Sequence, residues 1–133
     1  MGILEGNEAT RILKHEINKI LITMPFNTSL IGYSMLVDAI VVSMGHSFSD
    51  LNLKKDIYTK LAGLYNVGSS TVEKDIKSAI GSILTSTLNM TELEYPSKHI
   101  ELAVSDGKPK QLIVAMCQYM KINKGMVLTP LSN

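Results

Sequence analysis

The chain has 133 residues, of which 45% are hydrophobic and 19% charged, and its formal net charge is +1. That length suits one domain with a real core and is short for two, and the balance excludes a disordered tail or a solvated coil. Aromatics are 5% and Trp is absent, so a core of Ile, Leu, Val, Ala and Met is expected.

The first helical pattern runs from about Glu8 to Met24, with Ile12, Leu13, Ile17, Ile20, Leu21 and Met24 at helical spacing. A second runs from about Leu30 to Met44 and is apolar on most sides, as expected of a helix at the buried centre of a small domain. Gly45–Asn52 reads as a polar loop. A third helix is predicted over Leu53–Tyr65, with Leu53, Ile57, Leu61, Leu64 and Tyr65 on one face. Asn66-Val67-Gly68-Ser69 reads as a turn, because Asn and Gly tolerate the left-handed conformation that ends a helix. A fourth helix is predicted over Thr71–Thr85, opened by a capping box at Ser70 and Glu73. Pro96 is placed to open a short helix through Glu101, and Leu102–Asp106 reads as loop or a brief extended piece. A last helix begins near Pro109, with Leu112, Ile113, Met116, Tyr119 and Met120 as its apolar stripe. The expected fold is all-α: one domain over residues 1–133, a bundle of about six helices with its core at about 8–122 and a tail over 123–133.

Several classes of chemistry find no support. His15, His46 and His99 are scattered, and no nucleophile elbow, phosphate-cradling glycine loop or metal-ligand cluster is present. No enzyme activity, cofactor or metal is expected. A lone cysteine, Cys117, excludes an internal disulfide and a cysteine-based zinc cluster. In its apolar surroundings it reads as a buried, inert thiol. No signal-peptide pattern opens the chain. The longest apolar patch, Leu36–Met44, contains Asp38 and is too short to cross a bilayer. Met1-Gly2 lacks the Ser or Thr that myristoylation wants, Gly6 standing there instead. A cytoplasmic protein with no membrane partner is expected.

The third and fourth helices have the layout of a helix-turn-helix. Ala62 is small where the helices approach, Asn66 stands at the turn, and Val72 plugs the crossing. The fourth helix is two-faced. Val72, Ile76, Ala79, Ile80, Ile83 and Leu84 point inward; Glu73, Lys74, Lys77, Ser78, Gly81, Ser82 and Thr85 form an outer face without a large apolar residue. Lys and Ser there can donate to bases or phosphates, and Glu73 can accept from cytosine. Exposed Lys-Glu-Ser faces are also ordinary solvated surface. Gly81 costs a helix about 1 kcal/mol relative to Ala, and a partner approaching the backbone closely would account for it. From Leu51 to Thr91, Lys54, Lys55, Lys60, Lys74 and Lys77 outnumber Asp56, Glu73 and Asp75; from Gly107 to Asn133, Lys108, Lys110, Lys121 and Lys124 stand without an acid, the excess of acid lying elsewhere, as at Glu92, Glu94 and Glu101.

Gly32-Tyr33-x-x-Leu36-x-x-Ala39-Ile40 resembles a signature of the C-terminal DNA-binding effector domains of stage zero sporulation protein A. The similarity continues through Ile57-Tyr58, Leu61-Ala62, Tyr65-Asn66, Val72-Glu73, Ile76 and Ala79-Ile80, and resumes at Lys108-Pro109 and Ala115-Met116. The resemblance spans about Ile12 to Lys121. It implies the effector domain of a sporulation response regulator: six helices, the fourth reading a TGTCGAA-like heptamer in double-stranded DNA, often in tandem copies. It places DNA contacts at Ser70, Thr71, Glu73, Lys74, Lys77 and Ser78. The family has Glu, Arg, Arg and His where this chain has Glu73, Lys74, Lys77 and Ser78, and Arg where it has Thr71. Lys does not replace Arg in bidentate guanine recognition, and Asp75 adds an acid between the lysines. The chain also lacks the family's Gly-Val-Pro within residues 23–31 and its Lys before Gly-Tyr. The family carries a receiver domain ahead of this one. Here about ten residues precede the first helix, so a stand-alone relative or an excised domain is expected, acting independently of phosphorylation.

The expectation is a sequence-specific regulator of transcription that puts its fourth helix into the major groove, with a homodimer on tandem sites and RNA polymerase as further candidate partners. The alternative is an interaction module that modulates a related full-length regulator or RNA polymerase without reading DNA. The near-neutral charge favours the module; the lysines of the fourth helix and of the C-terminal segment favour DNA.

Overall fold

The computed structural model describes residues 8–24, 26–27, 29–45, 52–87 and 97–123. Among these residues it holds helices, turns and loops and no strand. The elements are α1 (Glu8–Leu21), α2 (Ile31–Ser43), a π-helical segment (Leu53–Tyr58) running directly into α3 (Thr59–Tyr65), α4 (Ser69–Thr87), α5 (Lys98–Asp106) and α6 (Pro109–Asn123).

Helix α2 forms the centre. Its sequence has no polar stripe to turn toward water, and every residue from Met35 to Ser43 is buried. Helices α1, α4 and α6 pack around it, and α5 lies against α6 and α4. The α2–α4 contact is the tightest. A Cβ placed on Gly32 would collide with the Asp75 carbonyl oxygen and stand 3.2 Å from Ile76 N. Only a residue without a side chain lets the first turn of α2 lie against the α4 backbone. Beside it, Asn27 N donates to Ser82 Oγ at 3.0 Å, and that hydroxyl donates to Ala79 O at 2.6 Å. The loop before α2 is thereby pinned to α4 as well.

The amphipathic helices bury the faces their spacing predicts. Leu13, Ile17, Ile20 and Leu21 of α1 are buried, as are Val72, Ile76, Ala79 and Ile80 of α4 and Leu112, Ile113, Met116 and Met120 of α6. Ile12 departs from its expected core position: it lies on the outer side of α1 and is half exposed. Leu64 is likewise 40% exposed, at the solvent edge of α3. The expected inward residues Ile83 and Leu84 lie where side chains are not described.

Helix boundaries differ from expectation where the caps differ. A reciprocal cap, one residue wider than a capping box, forms at the start of the third helical stretch: Asn52 Oδ1 accepts from Lys55 N at 3.0 Å, and Asp56 Oδ2 accepts from Asn52 N at 2.8 Å. This satisfies orphan amides at both positions. Helix α4 begins at Ser69 rather than Thr71, with Gly68 O accepting from Thr71 N and Val72 N at 3.1 Å. Ser70 therefore sits inside the first turn, and Glu73 turns away to an ion pair described below. Leu102–Asp106, expected as loop, is helical. Ser97 accepts from Ile100 N at 3.2 Å, Ile100, Ala103 and Val104 face the core, and Gly107 closes α5 in the left-handed region at φ 65°. Pro96 and the tail from residue 124 lie outside the described residues.

Cys117 is buried with its thiol 3.6 Å from Ile40 O as a weak donor. Burial pushes its pKa up to about 12, against a smaller opposing pull from Lys121. The reactive thiolate is therefore scarce at all pH values well below 12. At pH 8 the native chain should resist alkylation by iodoacetamide and react promptly once unfolded in urea; equal rates in both states would contradict the burial. Gly32→Ala should lower stability by about 3 kcal/mol, as overpacking against backbone that cannot rotate away. Urea titration of the variant checks this, and an unchanged midpoint would contradict it.

Candidate nucleic-acid interface

Helix α3, the three residues Asn66-Val67-Gly68 and helix α4 form one unit. Asn66 ends α3 at φ 58°, ψ 47°, in the left-handed conformation that Asn tolerates, and Ala62 O accepts from both Asn66 N and Val67 N. Asn66 is the one non-glycine residue with positive φ among those described. Val72, fully buried, closes the unit from the α4 side. This arrangement is compatible with a helix-turn-helix.

A buried polar network fixes the unit to the scaffold. Asp38 is 7% exposed in the middle of α2. Its Oδ2 accepts from the Tyr65 hydroxyl at 2.6 Å, and its Oδ1 stands 3.3 Å from the Lys14 ammonium. Ser34 Oγ lies 2.8 Å from the same Tyr65 oxygen. One carboxylate thus joins α1, α2 and the last turn of α3. Burial, followed by the Asp38 hydrogen bond, raises the Tyr65 pKa, so the phenol stays protonated and donating. Tyr33 adds a second tie between α1 and α2, donating to Asn18 Oδ1 at 2.7 Å.

The other side of α4 faces outward. Ser70, Thr71, Lys74, Lys77 and Ser78 are exposed and Glu73 is partly so. Ser70, Glu73, Lys74, Lys77 and Ser78 line one shallow surface groove; Thr71 stands outside it. Glu73 Oε2 pairs with Lys77 Nζ at 3.3 Å, one turn apart. Both groups are about half exposed, and such a pair holds roughly 0.3–0.5 kcal/mol, so a partner of either sign can open it. The Glu73 charge is also felt in the core: after burial itself, it is the second cause that raises the Tyr58 pKa. Among the described residues the buried Tyr58 hydroxyl has no hydrogen-bond partner.

Ser82, expected on the outer face, is turned toward the loop before α2 and its hydroxyl is fully engaged there. Thr85 lies where side chains are not described. Lys55 and Lys60 are exposed beside α3, and Lys108 and Lys110 at the start of α6. Among the described residues no group of His, Cys, Asp and Glu could hold a metal ion, and no helix is long and apolar enough to cross a membrane. Sequence reasoning missed the structural roles of Gly32, Asp38 and Ser82. The available signal for Asp38 was one acid inside an otherwise apolar helix.

The family model for the sporulation initiation factor Spo0A C-terminal domain matches residues 17–121. The chain belongs to this family. The match runs from the buried face of α1 to the last turn of α6, so it covers the packed helices and the α3–α4 unit together. Spo0A C-terminal domains are DNA-binding effector domains of transcription regulation in sporulation, and this all-helical chain shares that role at the level of the family. No curated protein and no solved structure matches the chain.

Tyr65→Phe removes the hydroxyl that serves the buried Asp38 carboxylate. It should cost about 1–3 kcal/mol, the penalty for leaving a buried acceptor short of its donor. Thermal or urea denaturation measures it. A loss below about 0.5 kcal/mol would show that water replaces the hydroxyl.

Proposed function

We propose that the chain is a sequence-specific double-stranded DNA-binding regulator of transcription that places α4 in the major groove. The supporting observation is the outer face of α4. It bears lysines and hydroxyls, among the described residues it lacks a large apolar side chain, and it is carried by a helix whose opposite face is locked into the core. In a family of DNA-binding effector domains, that is the surface suited to meet base edges and phosphates. Lys74 and Lys77 reach guanine acceptors or phosphates, Ser70, Thr71 and Ser78 donate to phosphates or bases, and Glu73 accepts from cytosine once Lys77 has left it. Lys in place of Arg gives a point charge instead of a planar fork. The preferred heptamer therefore differs from the family's at the positions Lys74 and Lys77 contact. Tandem copies of the site would seat two copies of the chain, and RNA polymerase is the machinery such a regulator acts on. A cytoplasmic, nucleoid-associated location follows from this reading.

Binding to duplex DNA should weaken steeply with salt, because phosphate contacts release counterions. Lys77→Ala should cost about 1–3 kcal/mol on the duplex selected from a random pool and relax preference at one base pair. Equal loss on selected and scrambled duplexes would make Lys77 a phosphate contact. Absence of binding to any duplex at low salt would overturn the DNA reading in favour of a module that engages a related regulator or RNA polymerase.

A further inference from the structure

Tyr58 closes the π-helical segment and stands at the start of α3, and that segment packs against α4. The residue is 3% exposed, and among the described residues its hydroxyl has no hydrogen-bond partner. An unserved hydroxyl in the core costs stability that phenylalanine, with the same ring, would not lose. Packing accounts for the ring but not for the hydroxyl.

The charge that acts on this phenol belongs to Glu73. Glu73 follows the fully buried Val72 by one residue and precedes the fully buried Ile76 by three, so it stands on the border between the inner and outer faces of α4. Burial first, and the Glu73 charge second, keep the phenol protonated, so its hydroxyl remains a donor. In the free chain the carboxylate is served elsewhere: Oε2 stands 3.3 Å from Lys77 Nζ, and the side chain is about half exposed to water. Drawing it to the phenol would strip water from it and gain little. A duplex changes that balance. A phosphate or a guanine acceptor competes for Lys77, and the groove displaces the water around Glu73. A desolvated carboxylate needs donors, and its two oxygens can serve more than one at a time. The Tyr58 hydroxyl is a donor already desolvated by folding and still unused.

Resting on the DNA reading above, we infer that Tyr58 is a positioning residue for recognition: when Lys77 leaves Glu73 for the duplex, the Tyr58 hydroxyl donates to one oxygen of the Glu73 carboxylate and leaves the other for a cytosine amine. Glu73 is then held from the core side while it reads a base from the groove side. A hydrogen bond to a charged acceptor is stronger than one between neutral groups, and desolvation of the phenol, complete on folding, is not repeated on binding. The hydroxyl that the free chain leaves unserved is matched in the complex.

Stability and binding of the full chain test this together. Tyr58→Phe should leave the melting temperature unchanged or higher, because the ring stays and an unserved hydroxyl goes. It should weaken binding to the duplex selected from a random pool by about tenfold, the loss of one hydrogen bond to a charged group. The loss should be smaller on a duplex altered at the base pair where Glu73→Ala relaxes preference. In the Glu73→Ala background, Tyr58→Phe should cause no further loss, because the phenol acts through the carboxylate. Full affinity of Tyr58→Phe for the selected duplex overturns the inference and leaves the DNA reading intact. Losses that add in the double variant, or that are equal on both duplexes, also overturn it, by making the hydroxyl a structural group. A fall in melting temperature overturns it too, since the hydroxyl would then be served in the free chain. If the unsubstituted chain fails to bind any duplex at low salt, the DNA reading falls and the inference with it.

Discussion

Helix α4 has a free outer face because α2 meets its inner side backbone to backbone. At Gly32 no side chain separates the two helices, and the Asp75 carbonyl occupies the space a Cβ would need. Helices normally pack with axes 8–10 Å apart, held off by the side chains between them. Removing one brings the helices together and buries Val72, Ile76, Ala79 and Ile80 of α4 against the core. Rotating α4 about its axis would expose these residues and break the Asn27–Ser82 hydrogen bond. The lateral position and rotation of α4 are thus set by hard sterics at one end of the contact and a directional bond at the other. Side chains on the outer face inherit that precision without taking part in it.

A second constraint is electrostatic and reaches the α3 side. A carboxylate in the middle of α2 is costly to bury unless its oxygens are served. Asp38 is served by Lys14 from α1 and Tyr65 from α3. Replacing such a group by a hydrocarbon is often neutral or stabilising, so net stability does not explain it. Its contribution is positional. An apolar α2 alone would let α3 slide along the core with little change in buried area, whereas the Tyr65 hydroxyl has one place to go. That hydroxyl stands immediately before Asn66, the left-handed residue that turns the chain into α4. Asp38 therefore fixes the point from which the turn departs, and Gly32 fixes where α4 lies after it.

The helices themselves were largely legible. Periodicity marks α1, α4 and α6, the uniformly apolar run marks α2, and Asn66 marks the turn. These features depend on local pattern, which a sequence displays directly. Less legible were features that depend on which residues meet in space. Two sites fit a capping role, Ser70 with Glu73 and Asn52 with Asp56; only the second is used, because Lys77 claims Glu73 and α4 starts a turn-fraction earlier at Ser69. Leu102–Asp106 looked irregular because its apolar residues form one short unbroken run without helical spacing of their own, yet Ser97 and Gly107 cap the helix and Ile100, Ala103 and Val104 suffice to hold it against the core. Ser82 looked like an outer-face donor because helical spacing alone cannot see the loop that comes to it. For the candidate interface, spacing grouped Ser70, Glu73, Lys74, Lys77 and Ser78, which do share one groove. It could not show that two of them are already paired with each other.

That pairing bears on how a nearly neutral chain could discriminate among duplexes. In the free chain, Lys77 is compensated by Glu73, so α4 offers a weaker field than its lysines suggest. Non-specific attraction, which depends on uncompensated cations near phosphates, is reduced accordingly. Where a guanine acceptor lies opposite Lys77 and a cytosine amine opposite Glu73, both partners exchange a half-exposed ion pair for hydrogen bonds to bases. Elsewhere, opening the pair leaves Glu73 facing phosphates with nothing to neutralise it. If α4 meets bases as proposed, an intrahelical pair worth only a fraction of a kcal/mol in water changes sign with sequence: it is readily surrendered to a matching base pair and penalised against a mismatched one. On the proposed DNA reading, selectivity would come from suppressing the wrong complexes at least as much as from strengthening the right one, which is consistent with a candidate interface that keeps its acid beside its lysines.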